Sequence, residues 1–371
     1  MKDKEVIDVL KTIAPGTEFR EGLENVLKAK TGGLIVVGDS QEVLELVDGG
    51  VKLNADYSPA LLYELAKMDG AIIVSKDLKK ILCANVQLAP DHSISTSETG
   101  TRHRTAERFA KQTGELVISV SQRRNVITLF KGNARYVLPD TSVVLTRANQ
   151  AMQTLEKYKA SLDGVMNNLN ALEFEDMVTV ENVCTAVQRI MSVLKISEEV
   201  ERYIYELGDE SRLVEMQLNE LLGTTRQDLD LILRDYMEVN KKNTVDSVSN
   251  KIRGLSYNEI SDTSGIAKII GYNSAQQFDM LISPKGYRIL SMIPRLPTNI
   301  VENVVGSFRN LRGVLASSIE ELDEVEGIGE VRARYINSSL KRMREQTLFD
   351  IRFWQNGYFM IQYVMLDVLF N

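Results

Sequence analysis

Two short clusters carry the residue types that chemistry needs. Asp69-Gly70 sets a carboxylate beside a residue with no side chain, so a ligand can approach the backbone next to an acid. Gly100-Thr101-Arg102-His103-Arg104-Thr105 combines a glycine, two hydroxyls, two guanidinium groups and one of the chain's two histidines. A carboxylate can hold Mg²⁺, a hard cation that takes oxygen ligands and substrate phosphates, or can help deprotonate a ribose hydroxyl. The second cluster suits a phosphate chain. A helix start leaves free N–H groups at the positive end of the dipole, and arginine forks match phosphate oxygens. Together the clusters describe a nucleotide site with Asp69 as its acid. Ser121, at the end of Ser119-Val120-Ser121 and just before Gln122-Arg123-Arg124, offers a further hydroxyl for phosphate.

These residues need elements to hold them. Ser58-Pro59 predicts a helix start, since serine caps and proline is tolerated in the first turn. Leu61, Leu62, Leu65 and Ala66 give that helix an apolar face, and it delivers Asp69-Gly70. Strands follow at Ala71–Ser75 and Ile81–Leu88, joined through Lys76-Asp77. Ala106, Phe109 and Ala110 repeat at helical spacing, predicting a helix from about Thr101 to Gln112 with Gly114 beyond it. Leu34–Val37 is a β-branched run typical of a buried strand. Further strands are expected over Glu115–Ser121, Val126–Phe130 and Arg135–Leu138. Strands and helices mix without strict alternation, which implies one α/β domain with a mixed sheet up to about residue 145.

The rest of the chain changes character. All seven prolines lie outside Asp140 to Ser283, and that stretch reads as amphipathic helices, a bundle or spine with no evident chemistry of its own. Ser283-Pro284-Lys285-Gly286 and Pro294-Arg295-Leu296-Pro297 mark the next boundary. Short helical units follow, with Glu326-Gly327-Ile328-Gly329 between two of them. Seven aromatics, including the single Trp354, crowd Phe349 to Asn371.

Composition bounds the function. A chain of 371 residues with net charge −7 has no general basic footprint, so any nucleic-acid contact must be local. Two cysteines in unrelated contexts form neither a disulfide framework nor a metal-ligand spacing. The expectation is a cytoplasmic protein with no signal peptide and no membrane partner; no run reaches the ~18 apolar residues of a span.

Asp69-Gly70-Ala71 together with Gly100 to Thr105 resembles the paired motifs of the diadenylate cyclase (DAC) domain family. The resemblance covers roughly residues 1–345 and extends to domain order. It implies a multidomain α+β protein: a mixed α/β DAC domain at 1–145, an all-α middle bundle at 146–285, and a helix-hairpin-helix DNA-binding domain at 286–345. An aromatic-rich tail of unassigned role occupies 346–371.

The resemblance further implies that two ATP molecules condense to cyclic di-AMP and two pyrophosphates, with Mg²⁺ or Mn²⁺. Asp69 then engages metal and the ribose 3′-OH. Gly70 lies under the nucleotide, Leu88 touches adenine or ribose, and Thr101, Arg102, His103, Arg104 and Thr105 hold phosphate. Each ATP sits on one of two DAC domains placed face to face, a pairing the family's octamers supply.

The hairpin at Gly327-Ile328-Gly329 implies contact with DNA, branched and without sequence preference, and a nucleoid-associated, DNA-damage checkpoint role. That family's hairpins commonly carry Pro where this chain has Glu326. Yet Val331 to Arg344 holds five basic residues, Arg332 and Arg334 first among them, and no acid. The rival reading is a non-catalytic scaffold that senses ATP and binds DNA.

Overall fold

The computed structural model describes residues 9–238, 244–272, 278–347 and 349. It divides into two compact units. One comprises residues 1–150 with 200–217, the other 151–199 with 218–371.

The first unit is built on an eight-stranded mixed sheet. Its strands are β1 (Gly33–Val37), β2 (Val47–Asp48), β3 (Val51–Asp56), β4 (Ala71–Val74), β5 (Lys80–Leu88), β6 (Leu116–Ser121), β7 (Val126–Lys131) and β8 (Ala134–Leu138). They lie in the order β2-β5-β4-β1-β6-β7-β8, with β3 also paired to β5. β1 and β4 are parallel, with Ile35 opposite Ile72, and the other pairings are antiparallel.

Every residue of β1 and β4 is buried, because the sheet is covered on both faces and both sides of each strand must be apolar. On one face Ile35, Val37, Ile72 and Val74 meet Phe19, Leu23 and Val26 of α1 (Glu18–Lys28) and Leu62 of α3 (Pro59–Leu65). The opposite face sets Leu34, Val36, Ile73 and Val117 against Val43 of α2 (Gln41–Glu45). Ala106, Phe109 and Ala110 of α4 (Thr101–Thr113) complete that layer. Ser58 caps α3 as its sequence suggests, its hydroxyl accepting from the Leu61 N–H. Gly114, left-handed at φ 69, ends α4.

The sheet holds two strands that sequence reading missed, β2 and β3. β3 does alternate, Val51, Leu53 and Ala55 with Lys52, Asn54 and Asp56, but it is short, exposed along nearly its whole length and follows the turn at Gly49-Gly50, where only the turn was read. Its pairing with β5 slips one residue between Lys52 and Ala55, where Asn54 takes φ 45.

Helices α5 (Thr141–Glu175) and α6 (Val180–Leu207) open the helical region. α5 passes without a break through the boundary expected near residue 145. Residues 200–217 belong to the first unit, where Tyr136 of β8 donates to the Glu206 carboxylate at 2.6 Å. The predicted stretches Leu213–Leu222 and Leu229–Val239 become α7 (Arg212–Leu222) and α8 (Thr225–Tyr236).

In the second unit the short helices α9 (Val245–Arg253), α10 (Tyr257–Ile260) and α11 (Thr263–Ile270) follow α8. Then come α12 (Tyr287–Ser291), α13 (Thr298–Ser307), α14 (Leu311–Ala316) and α15 (Ile319–Asp323), and a last helix over 330–347. Ile289, Val301, Val304, Leu322, Ile336 and Leu340 form its C-terminal core. Beneath α12 lies a buried ionic joint. Arg288 makes a bidentate pair with Glu173, Tyr236 donates to the same carboxylate at 2.6 Å, and the Asp235 carboxylate accepts the N–H groups of Gly286, Tyr287 and Arg288. The aromatic tail from 350 onward lies outside the described residues.

Candidate active site

Strand register brings the two sequence clusters to one edge of the sheet. Ile35 opposite Ile72 on the parallel pair puts the start of β1 level with the start of β4, where Asp69-Gly70 stands. Gly33 is paired with Val120, so the end of β6 and Ser121 reach the same edge. α4 runs antiparallel to β6 and therefore begins there too. Asp69, Gly70, Thr101 to Thr105 and Ser121 thus share one rim of the first unit.

Asp69 is exposed, next to Met68, which is 50% exposed. Gly70 takes φ 88, and a methyl group on it would lie 2.7 Å from the Val86 carbonyl oxygen and 3.0 Å from the Asn85 carbonyl carbon. Its lack of a side chain is therefore required by the passage of β5. β5 carries an extra residue between the pairs Ala71–Val86 and Ile73–Cys83, with Asn85 left-handed at φ 54. The bulge swings β5 across the start of β4. Leu88 lies at the far end of β5, paired with Val47 and buried in the layer that α4 covers.

No side chain caps α4 at Gly100, so the first N–H groups of a 13-residue helix face outward from its start. The first turn sends its side chains in different directions. Thr101 and Arg104 are exposed, Arg102 and Thr105 half-buried, and His103 buried. Arg102 folds back over Gly32, where a methyl group would meet its Nη1 at 2.3 Å and the Val120 carbonyl oxygen at 3.3 Å. Gly32 is left-handed at φ 73, so this contact is built on a glycine that nothing larger replaces without movement.

His103 departs from its neighbours. Its ring turns onto the sheet, with Nδ1 3.3 Å from the buried Ser119 hydroxyl and an edge contact to Phe130. Burial lowers its pKa; Glu98 opposes that and Arg124, Arg135 and Arg102 add to it, so the imidazole is neutral near pH 7. Its Nε2 is buried without a partner among the described residues. Ser121 accepts from the Arg124 N–H at 3.2 Å and so caps the β6–β7 turn.

The loop entering α4 is held by residues the sequence reading did not single out. The Glu107 carboxylate accepts from the Thr96 hydroxyl and the Ser97 N–H and pairs with Lys111 at 2.8 Å. Arg108 and Lys111 donate to the carbonyls of Ile94 and Ser95. Glu98 pairs with Arg135 on β8. The Glu107–Lys111 pair was visible as an i,i+4 spacing; the Glu98–Arg135 pair, 37 positions apart, left no local trace.

The second unit repeats itself. The turn Val325-Glu326-Gly327-Ile328-Gly329 between α15 and helix 330–347 has a counterpart thirty-two positions earlier, Ile293-Pro294-Arg295-Leu296-Pro297 between α12 and α13. Gly327 and Arg295 occupy the same place and are both left-handed, at φ 80 and φ 59. The Ile328 N–H reaches the Val325 carbonyl at 2.9 Å, and the Leu296 N–H reaches that of Ile293 at 3.3 Å. The two hairpins also hold each other. Asn303 of α13 donates to the Glu326 carbonyl at 2.8 Å, and Tyr335, its equivalent, donates to the Pro294 carbonyl at 3.1 Å. The sequence reading took Pro294 to Pro297 only as a boundary, because a proline-bounded Arg-Leu bears little likeness to Gly-Ile-Gly. Of the expected DNA contacts, Gly329 has open space around it. Arg332 donates to the Gly327 carbonyl, and Arg334 pairs with Glu330 at 2.6 Å.

The model for the DisA bacterial checkpoint controller nucleotide-binding (DAC) region matches residues 20–135, and that for the DisA bacterial checkpoint controller linker region matches 138–278. The DNA integrity scanning protein DisA of Clostridium botulinum (strain Loch Maree / Type A3) is 56% identical over 94% of this chain and 98% of its own length. That of Acetivibrio thermocellus is 56% identical over 95% and 98%. A solved structure of DacA from Staphylococcus aureus covers 38% of this chain and 93% of its own, at 22% identity and a TM-score of 0.29, too low to carry an argument. No helix among the described residues is long and apolar enough to cross a membrane. Two family models set end to end, and identity above one half along nearly the whole chain, place this protein in the DisA family.

Proposed function

We propose that the protein is a diadenylate cyclase, joining two ATP molecules into cyclic di-AMP with release of two pyrophosphates. The observation that carries this reading is the meeting, at one rim of the sheet, of Asp69, the Gly32-seated Arg102 and the uncapped start of α4. Nucleotidyl transfer asks a protein mainly for positioning and charge stabilisation. The helix N–H groups, Arg102 and Arg104, with the hydroxyls of Thr101, Thr105 and Ser121, supply donors for a triphosphate. Gly70 and Leu88 border the nucleoside end, and His103, buried against Ser119 and Phe130, braces the first turn of α4 from beneath.

The reaction needs two such sites in apposition. Each ribose 3′-OH adds to the α-phosphorus of the other ATP, the bond from that phosphorus to the pyrophosphate oxygen breaks, and the hydroxyl proton leaves from the 3′ oxygen toward Asp69. Met68 and Val51, each 50% exposed, give this rim apolar side chains suited to meeting a second copy. An octamer is one assembly that provides face-to-face pairs.

No cluster of three or more His, Cys, Asp or Glu residues among the described residues forms a metal cage. An exposed single carboxylate does fit Mg²⁺ or Mn²⁺, since Mg²⁺ is commonly held by one or two carboxylates together with substrate phosphates. Asp69 would hold the ion, whose charge would offset that of the phosphates.

The hairpin of Gly327 and Gly329, with Arg332 and Arg334 beside it, faces the backbone of DNA without reading sequence, which links cyclase activity to DNA scanning and checkpoint signalling at the nucleoid of the cytoplasm. Purified protein with ATP and Mg²⁺, analysed by chromatography, tests the reading. Cyclic di-AMP is the expected product; unchanged ATP would favour a nucleotide-sensing scaffold, and another nucleotide a different transferase. A parallel incubation with branched DNA is expected to lower turnover, and equal rates would separate the two functions.

A further inference from the structure

We infer that the first hairpin, Ile293 to Pro297, is the main cationic grip of the second unit on the DNA backbone, with Arg295 as its contact. This rests on the DNA-binding reading above and reassigns the weight within it. The two hairpins share one backbone path but carry opposite charge. The second holds Glu326 and Glu330, and its two nearest arginines are engaged internally, Arg332 on the Gly327 carbonyl and Arg334 on Glu330. The first holds no acid, and Arg295 at its tip is exposed without a partner among the described residues.

The backbone donors are unequal too. Gly329 can offer an N–H at the start of its helix, whereas Pro297, its counterpart, has none. The first hairpin therefore lacks the donor by which the second would meet a phosphate, and a guanidinium stands two positions from the gap. Arg295 also occupies a left-handed position, φ 59, that glycine fills in the other copy. An arginine is the costlier residue there, and its side chain is exposed. A flexible cation held at the tip of a turn by the Tyr335–Pro294 hydrogen bond is suited to a phosphodiester oxygen. The mutual bonds of Asn303 and Tyr335 fix the two hairpins to each other, so both can address one duplex, one by charge and the other by backbone N–H.

The test is fluorescence anisotropy of the full chain with a labelled DNA duplex and a labelled four-way junction over a range of salt. Arg295→Gly removes the charge and suits the left-handed backbone, so the melting temperature should hold or rise. Its affinity should fall about five- to tenfold, and its salt slope should flatten by about one, the share of a single phosphate contact. Arg295→Lys should retain most of the binding, and Arg334→Ala should lose less than Arg295→Gly. A parent that binds DNA while Arg295→Gly binds equally, with the same salt slope, overturns this inference alone. A parent that binds neither DNA overturns the DNA reading and the inference together.

Discussion

Arg102 and Gly32 are bound by exclusion: the guanidinium of the first occupies the space where any side chain on the second would begin, 2.3 Å from its Nη1. The pair joins the helix that starts the phosphate cluster to the first strand of the parallel pair. Gly32→Ala should therefore act on chemistry through Arg102. Loss of one preorganised donor typically lowers rate by about 10²–10³, and Gly32→Ala should approach that figure. The left-handed backbone adds about 1 kcal/mol of destabilisation. Rates of cyclic di-AMP formation for Gly32→Ala, Arg102→Ala and the double variant check this. If the glycine acts through the arginine, the double variant is no slower than Arg102→Ala.

Asp69 makes the contrasting case, being exposed and held by nothing that stability needs. Asp69→Asn should leave the melting temperature within the range of ordinary surface changes, about 0.5 kcal/mol either way, while removing cyclisation. Product analysis beside calorimetry separates the two effects. Turnover close to the parent's would take Asp69 out of the reaction.

Much of this rim was legible in the sequence, for identifiable reasons. Ser58-Pro59, the i,i+3,i+4 pattern of Ala106, Phe109 and Ala110, and the run Leu34–Val37 are local signals, and each element formed where its signal lay. What stayed hidden was set by partners distant in sequence. Gly70 looked like a place for a nucleotide, yet β5 crossing at Val86 demands it. His103 sat in a polar run, but α4 rotates it onto Ser119 and Phe130. The hairpin repeat escaped because backbone path persisted while Gly-Ile-Gly became Arg-Leu-Pro.

Glu107 ties the entry loop to α4, and its ionisation should be readable in pH dependence. Burial opposes its charge, but the Lys111 ammonium, the Thr96 hydroxyl and the Ser97 N–H outweigh burial and hold the carboxyl below the usual glutamate range. A lowered folded-state pKa means that its stabilisation is present above the unfolded value, about 4.3, and is lost as pH falls through the folded value. Glu107→Gln should destabilise the protein by about 2 kcal/mol at pH 7, with the gap to the parent closing below pH 4. Urea unfolding followed by circular dichroism at several pH values measures it. A gap that stays constant down to pH 3 would mean that its charge contributes nothing.

The joint under α12 should be the most sensitive point of the second unit. Arg288 and Glu173 are 3% and 2% exposed, so removing one partner strands a charge away from water. Arg288→Met should destabilise the unit by about 3–5 kcal/mol, whereas replacing both with apolar residues is often close to neutral. Arg288→Met with Glu173→Leu should therefore recover at least half of the loss, less what the Tyr236 hydroxyl forfeits when its acceptor goes. Asp235, pushed up to about 7 by burial and the Glu173 carboxylate, adds a pH signature. Its raised folded-state pKa stabilises the protonated folded form, so its contribution declines as pH rises from about 4 toward 7. Losing Glu173 should weaken that decline. Unfolding curves for parent, single and double variants between pH 5 and 8 carry both readouts. A double variant no more stable than Arg288→Met would show that geometry at α12, rather than the stranded carboxylate, sets the loss.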